Sequence, residues 1–126
     1  MQEPKHESRE HESRARVYTK YRLSPLISSR VKNMAGEDLG TLEEFMVDIE
    51  QGRIIYAVLS FGGFMGMGNK LFAIPWRALM LKPQENIFVL NVEKEKLQNA
   101  PGFNRENWPN TANPEWDAPV RDYWAF

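Results

Sequence analysis

Residues 36–79 read GEDLGTLEEFMVDIEQGRIIYAVLSFGGFMGMGNKLFAIPWRAL, and this stretch carries the strongest strand signals of the chain. The run from Ile54 to Phe61 is apolar on both faces and rich in β-branched residues, which predicts a central strand. The glycines from Gly62 to Gly68 then predict a loop, and the next strand begins at Lys70. Pro75 lacks an amide N–H, so it marks the end or the edge position of that strand.

A hairpin is predicted before the central strand. Residues 34–38 supply its turn, in which Gly36 can adopt a positive φ. In the second strand of the hairpin, alternate apolar side chains are expected on the buried face: Phe45, Val47 and Ile49. Because Leu42 is out of phase with this set, we expect a bulge near residues 43–44.

Further short strands follow Trp76. A turn over residues 76–79 leads to the strand at residues 80–82, and a turn over residues 83–86 leads to a strand at residues 87–92. The stretch therefore predicts about six short strands with closely spaced turns. This spacing is typical of an all-β domain, either a small β-barrel or a sandwich.

The two ends of the chain differ from this β-rich stretch, residues 23–92. Residues 1–22 are charged and almost without apolar side chains, so we predict a disordered tail. Residues 93–126 begin with a predicted short helix, which ends near Pro101. Four prolines and six aromatic residues then predict an extended aromatic arm, because proline disfavours long regular elements.

Composition excludes several classes of function. Sixteen basic residues against seventeen acidic ones give a net charge of −1, which argues against a DNA-binding protein acting through bulk charge. The absence of cysteine excludes disulfides, thiol catalysis and cysteine-ligated metals. The longest uncharged run, residues 54–69, is too short to span a membrane, and residues 1–10 lack the apolar stretch of a secretory signal. We therefore expect a cytoplasmic protein without an integral membrane segment.

The ordered series of these features resembles the PRC-barrel family. The matching segments are the GEDLG turn at residues 36–40, the central strand from Tyr56, the glycine loop and the KLFAIPW strand at residues 70–76. The resemblance covers roughly residues 22–92, and the PGFNRENWPN segment is similar to the C-terminal extension of small free-standing bacterial members. It implies a small PRC-type β-barrel of about six strands.

The resemblance also implies a function. Members of the family that this chain resembles are interaction and assembly modules, so the resemblance implies a non-catalytic protein-interaction module rather than an enzyme. The family includes the cytoplasmic domain of the photosynthetic reaction-centre H subunit and a ribosome-maturation factor. A ribosome- or RNA-processing-associated factor is therefore the alternative. Weaker alternatives are a small-ligand-binding barrel and an accessory protein of a photosynthetic electron-transfer complex.

The glycine loop is the first candidate contact site. It does not have the Gly-Lys-Ser/Thr ending and following helix of a phosphate-binding P-loop. Apolar side chains on an exposed loop often mark a contact with a protein partner. The candidate interaction residues are Gly62, Gly63, Phe64, Met65, Gly66, Met67 and Gly68.

The aromatic arm is the second candidate contact region. Large rings need a surface on which to bury their area, either the barrel of the same chain or a second copy of it. We interpret the eight-residue spacing of its tryptophans as chance, and we expect a homo-oligomer, with a dimer favoured. The candidate contact residues are Phe103, Trp108, Trp116, Tyr123, Trp124 and Phe126.

No catalytic, metal or cofactor site is predicted. His6 and His11 are five residues apart, so they would not share one face of a helix. Nothing places two of the carboxylates around a cleft, and Asp48 is expected to cap a turn. The scattered basic residues could bind single strands together with Tyr56 and Trp76, but the net charge argues against RNA.

Overall fold

The computed structural model describes residues 21–62, 70–111 and 113–124. Within these residues the chain forms strands, two α-helices and two 3-10 turns, at Ser24–Leu26 and Trp76–Ala78. The strands are β1 (Arg30–Lys32), β2 (Asp38–Asp48), β3 (Arg53–Phe61), β4 (Lys70–Pro75), β5 (Leu79–Lys82) and β6 (Ile87–Leu90). The helices are α1 (Lys94–Gln98) and α2 (Pro114–Trp124).

The strands form one six-stranded sheet with the order β4-β3-β2-β1-β6-β5. Neighbouring strands are antiparallel except β1 and β6, which are parallel. The sheet curls into a half-barrel, so the prediction of a small all-β barrel with about six strands and a short helix is confirmed. In this order β4 and β5 are the two outer strands of the sheet.

The hairpin of β2 and β3 confirms the predicted bulge. The register shifts between Leu42 and Glu44, and both Leu42 and Phe45 are buried as a result. A second shift lies between Met46 and Val47, and the sequence did not predict it. Beyond this second shift the expected burial of Val47 and Ile49 is wrong, because their side chains are 41% and 86% exposed.

Two glycines have conformations that the hairpin requires. Gly36 has φ of +84° in the predicted turn. Gly40 has φ of +125°, and a Cβ there would lie 2.0 Å from the backbone oxygen of Ser60. No side chain fits at such a separation, so β2 can approach β3 this closely only with glycine at position 40.

The prediction that β3 is buried on both faces is confirmed from Tyr56 to Phe61. One face, with Ala57 and Leu59, contributes to the interior of the half-barrel. On the opposite face, the ring of Tyr56 packs edge-on against Trp116 of α2, with centroids 5.5 Å apart. Trp116 of the C-terminal helix therefore covers Tyr56, where the buried part of β3 begins.

The prediction of an extended arm is wrong for residues 114–124, which form the helix α2. Pro114 occupies the first position, where its missing amide hydrogen would have no partner within the helix. Asn113 caps this end, since its Oδ1 accepts a hydrogen bond of 3.0 Å from the amide of Glu115. Pro119 removes only one interior hydrogen bond and lies exposed.

Burial of one face stabilises α2 despite Pro119. The side chains of Trp116, Val120 and Trp124 recur every four residues, which places them on the same face of a helix. Val120 and Trp124 are 2% and 1% exposed and belong to the main core, and Trp116 packs against it. The interval between Trp116 and Trp124, interpreted above as chance, is therefore a helical repeat.

Candidate functional site

The predicted interaction loop lies mostly outside the described residues. Gly62 is exposed directly after β3, and residues 63–68, with the remaining candidate residues of the loop, are not described. The charged residues 1–20, the two histidines and Phe126 are likewise outside the described residues.

The segment around Phe103 lies along the outer edge of β4. Leu71 and Phe103 exchange two backbone hydrogen bonds, of 3.0 Å and 2.8 Å, and so extend the sheet by one bridge. The ring of Trp108 packs on that of Phe103 at 5.0 Å and remains 43% exposed. Gly102 permits the approach, since a Cβ there would lie 2.8 Å from the oxygen of Leu71.

A polar network joins the start of β3 to α2. The Tyr56 hydroxyl donates a hydrogen bond of 2.5 Å to one carboxylate oxygen of Asp117, and Arg121 Nε donates one of 2.6 Å to the other. The Arg121 guanidinium also lies 5.9 Å from the centre of the Tyr56 ring. Burial, together with the hydrogen bond to Asp117, raises the pKa of Tyr56 well above its ordinary value, so the phenol stays protonated.

The end of α2 contacts α1. The Tyr123 hydroxyl donates a hydrogen bond of 2.5 Å to the backbone oxygen of Lys96. The Lys96 ammonium lies 5.5 Å from the Tyr123 ring and 5.9 Å from the Trp124 ring, within the range of a cation–π interaction. The described aromatic residues of the arm are thus spread over three places and do not form one continuous surface.

Sequence reasoning missed a cleft with an unusual lining, at the end of the half-barrel where the β2–β3 turn lies. Its volume is about 490 Å³, and it lies between that turn, the end of β4 and α2. Three arginines, Arg53, Arg77 and Arg121, line it together with Trp76 and other apolar side chains. Arg53 begins β3 directly after the turn glycine Gly52 and Arg77 follows the end of β4, but nothing in the sequence pattern brings these residues together.

The outer edge of β5 is the second feature that sequence reasoning did not locate. This strand pairs with β6 on one side. Among the described residues, none donates or accepts a strand hydrogen bond on its other side. Met80, in the middle of β5, is 57% exposed, while Leu79 and Leu81 are half-buried.

The structure places the carboxylates at turns and surface ion pairs. Asp48 accepts a hydrogen bond of 3.1 Å from the amide of Gln51, so the predicted turn cap is confirmed. Glu43 pairs with Arg105 and Asp38 pairs with Arg30. In residues 21–62, 70–111 and 113–124, no three His, Cys, Asp or Glu side chains lie close enough to hold a metal ion.

None of the described helices is both long enough and apolar enough to span a membrane. Comparison with curated proteins found no match to this chain. A family model, the PRC-barrel domain, matches residues 19–97, a range that contains all six strands and most of α1. Because this match covers more than half of the 126 residues, the chain belongs to the PRC-barrel domain family.

Proposed function

We propose that this chain is a non-catalytic protein-interaction and assembly module of the cytoplasm, and that it forms a homodimer through the outer edge of β5. PRC-barrel domains are in general not catalysts. The observation that carries the proposal is the outer edge of β5, with which no described residue pairs and on which Met80 is exposed. In this proposal residues 23–92 form the barrel, and residues 93–126 cover part of it.

An unpaired strand edge presents backbone N–H and C=O groups that can pair with another strand. Proteins commonly protect such an edge with charges, a proline or a covering segment. In β5 the only charged residue is Lys82, at the end of the strand, and the preceding three residues are apolar. The described chain places no covering segment on this edge, so the edge is available for pairing.

The side-chain pattern of β5 suits a second copy of the same strand. Directly opposite residues of an antiparallel pair lie on the same face of the sheet. An antiparallel pairing about a two-fold axis at Met80 places Met80 opposite the partner subunit's Met80, and Leu79 opposite the partner subunit's Leu81. Exposed methionines then meet on the outer face, and half-buried leucines meet on the inner face.

Charge is compatible with this register. Lys82 would lie opposite the partner subunit's Ala78, so no two lysines are directly opposed. A two-fold axis also makes the interface closed and self-complementary, which limits assembly to a dimer. Four residues per strand give a small interface, for which we expect a dissociation constant in the micromolar range.

The test is sedimentation equilibrium of the full-length chain from low to high micromolar concentration. Wild type should change from monomer to dimer over this range, whereas Met80→Lys should stay monomeric because two lysines would meet at the axis. The matched control is Ile49→Lys, which places the same charge at an exposed apolar position outside β5. A wild type that stays monomeric would disprove the dimer, and equal association in wild type and Met80→Lys would disprove an interface at β5.

The glycine loop keeps its role as a proposed contact for a different protein. A pull-down from the source cells should recover a partner with the full-length chain and lose it with the variant Phe64→Ser, Met67→Ser. Circular dichroism of the variant verifies that it is folded. If both baits recover the same partner, the loop is not the contact.

A further inference from the structure

Three arginines and no described acidic residue line the arginine cleft. Asp117 accepts a hydrogen bond from Tyr56 on one carboxylate oxygen and from Arg121 on the other. Its negative charge therefore balances the positive charge of Arg121. Arg53 and Arg77 form no ion pair with any described residue, although Asp48 lies opposite Arg53 in the register of β2 and β3. Two positive charges therefore face one cleft in a chain whose net charge is −1.

Arg121 is held in place on the third side of the cleft. Its Nε donates to Asp117 and its guanidinium also interacts with Tyr56, but a guanidinium has five N–H donors, so further donors are left for another acceptor. The hydrogen bond to Asp117 is the main cause that raises the pKa of Arg121, so the guanidinium stays charged. Because Asp117 is also bound to the buried Tyr56, the position of this arginine depends on the folded core.

The remaining wall of the cleft is apolar. Ile54, Pro75 and Trp76 contribute to it. Edge-on contacts of 5.8 Å with Phe45 and Phe88 hold the Trp76 ring, which is only partly buried. An indole ring fixed by the core offers a firm apolar surface for a flat group of a ligand.

We propose that this cleft binds a small organic phosphate, a phosphate monoester that carries a flat apolar group, as in a mononucleotide. A phosphate dianion matches the charge of the two arginines that form no ion pair with a described residue, whereas a monocarboxylate would match only one. Guanidinium groups bind phosphate oxygens through paired hydrogen bonds, and the apolar wall accommodates the flat group. The volume of about 490 Å³ lies within the range of small-molecule sites, roughly 300–1,000 Å³.

The test is isothermal titration calorimetry of the full-length chain at low ionic strength. The probes are adenosine monophosphate, inorganic phosphate, adenosine, citrate and a single-stranded oligonucleotide of mixed sequence. We expect adenosine monophosphate to bind at least about tenfold more tightly than the other four probes. The double variant Arg53→Gln, Arg77→Gln should weaken its binding at least about tenfold.

The matched control is Arg22→Gln, which removes an exposed arginine away from the cleft and should leave binding unchanged. No binding of adenosine monophosphate at millimolar concentration, or equal binding by the double variant, would overturn the proposal. Equal affinity for inorganic phosphate, adenosine or citrate would also overturn it, as would tighter binding of the oligonucleotide. Met80 does not line the cleft, so the monomeric variant Met80→Lys should still bind adenosine monophosphate.

Discussion

The two outer strands of the sheet are treated differently by the rest of the chain. At β4, the segment around Phe103 adds two backbone hydrogen bonds along the outer edge, and α2 packs against the strand. At β5, no described residue adds such a bond. The difference shows that the C-terminal residues pair with one edge of the sheet, whereas the other edge is the one at which we propose the dimer interface.

The largest expected loss of stability comes from truncating Trp124, the buried residue with which α2 packs into the core. Trp124 is 1% exposed in the core, so Trp124→Ala should lower the free energy of unfolding by about 3–5 kcal/mol. Urea denaturation followed by circular dichroism measures this loss. The matched variant Trp124→Phe should lose much less, because the buried indole Nε1 has no acceptor in the described part of the chain. Equal losses in both variants would contradict this interpretation.

A smaller loss of stability is expected when the segment around Phe103 is displaced from β4, which would leave the edge of β4 without its added hydrogen bonds, like the edge of β5. In Gly102→Ala the new Cβ would lie 2.8 Å from the oxygen of Leu71, so the bridge to Phe103 must shift. We expect a loss of about 1–3 kcal/mol in unfolding free energy, with faster hydrogen exchange at the Leu71 amide. Asn104→Ala, an exposed position beside the bridge, is the control and should change neither quantity. An unchanged exchange rate in Gly102→Ala would show that the bridge does not protect the edge.

The hydrogen bond from Tyr56 to Asp117, which we call the polar anchor of α2, should stabilise the folded protein by about as much as one charge-assisted hydrogen bond. Tyr56→Phe removes the donor to Asp117, and we expect a loss of about 1.5 kcal/mol in unfolding free energy at neutral pH. The loss is at the low end of the range because Asp117 keeps Arg121 as a partner.

This anchor also has a pH dependence with a defined sign. The pKa of Tyr56 is raised in the folded protein, so folding favours the protonated phenol. Its contribution is complete below the ordinary tyrosine pKa of 10.0 and is lost as the pH rises above it. Denaturation at pH 8 to 11 should therefore show a steeper decline for wild type than for Tyr56→Phe. Parallel declines would exclude Tyr56 as the source.

The smallest effect on stability is expected at the open edge. Met80 is 57% exposed, so Met80→Lys should change the unfolding free energy of the monomer by no more than about 0.5 kcal/mol. Its effect should instead be on association, through faster hydrogen exchange of the β5 amides at concentrations where wild type is dimeric. If the β5 amides exchange equally fast in both proteins, the edge is not an interface.

Local sequence patterns were sufficient to predict the strands and the first of the two bulges in β2. Alternation, turn residues and proline positions predicted six strands, and the phase of Leu42 located the first bulge. The second shift, between Met46 and Val47, escaped prediction because the apolar alternation continues through it in the sequence. Burial of Val47 and Ile49 depends on whether another element packs against the end of β2, which local patterns do not state.

The helix α2 shows why the C-terminal prediction failed. Proline content argued against a helix, but Pro114 lies at the first position and Pro119 faces away from the core. The apolar spacing of Trp116, Val120 and Trp124 would have predicted the helix, had it been given more weight than the prolines. The arginine cleft was not predictable in this way, because its residues come from three separate parts of the chain.

The sequence by itself determined the strand content, the first turn and bulge and the family, since these depend on neighbouring residues and their order. Tertiary structure alone decided that α2 packs on Tyr56 of β3, that Gly102 lets the chain pair with β4, and that no described residue pairs with the outer edge of β5. It also brought Arg53, Arg77 and Arg121 to one cleft. These features require contacts between residues distant in the chain, and the free energy of such contacts depends on burial and approach that no local pattern contains.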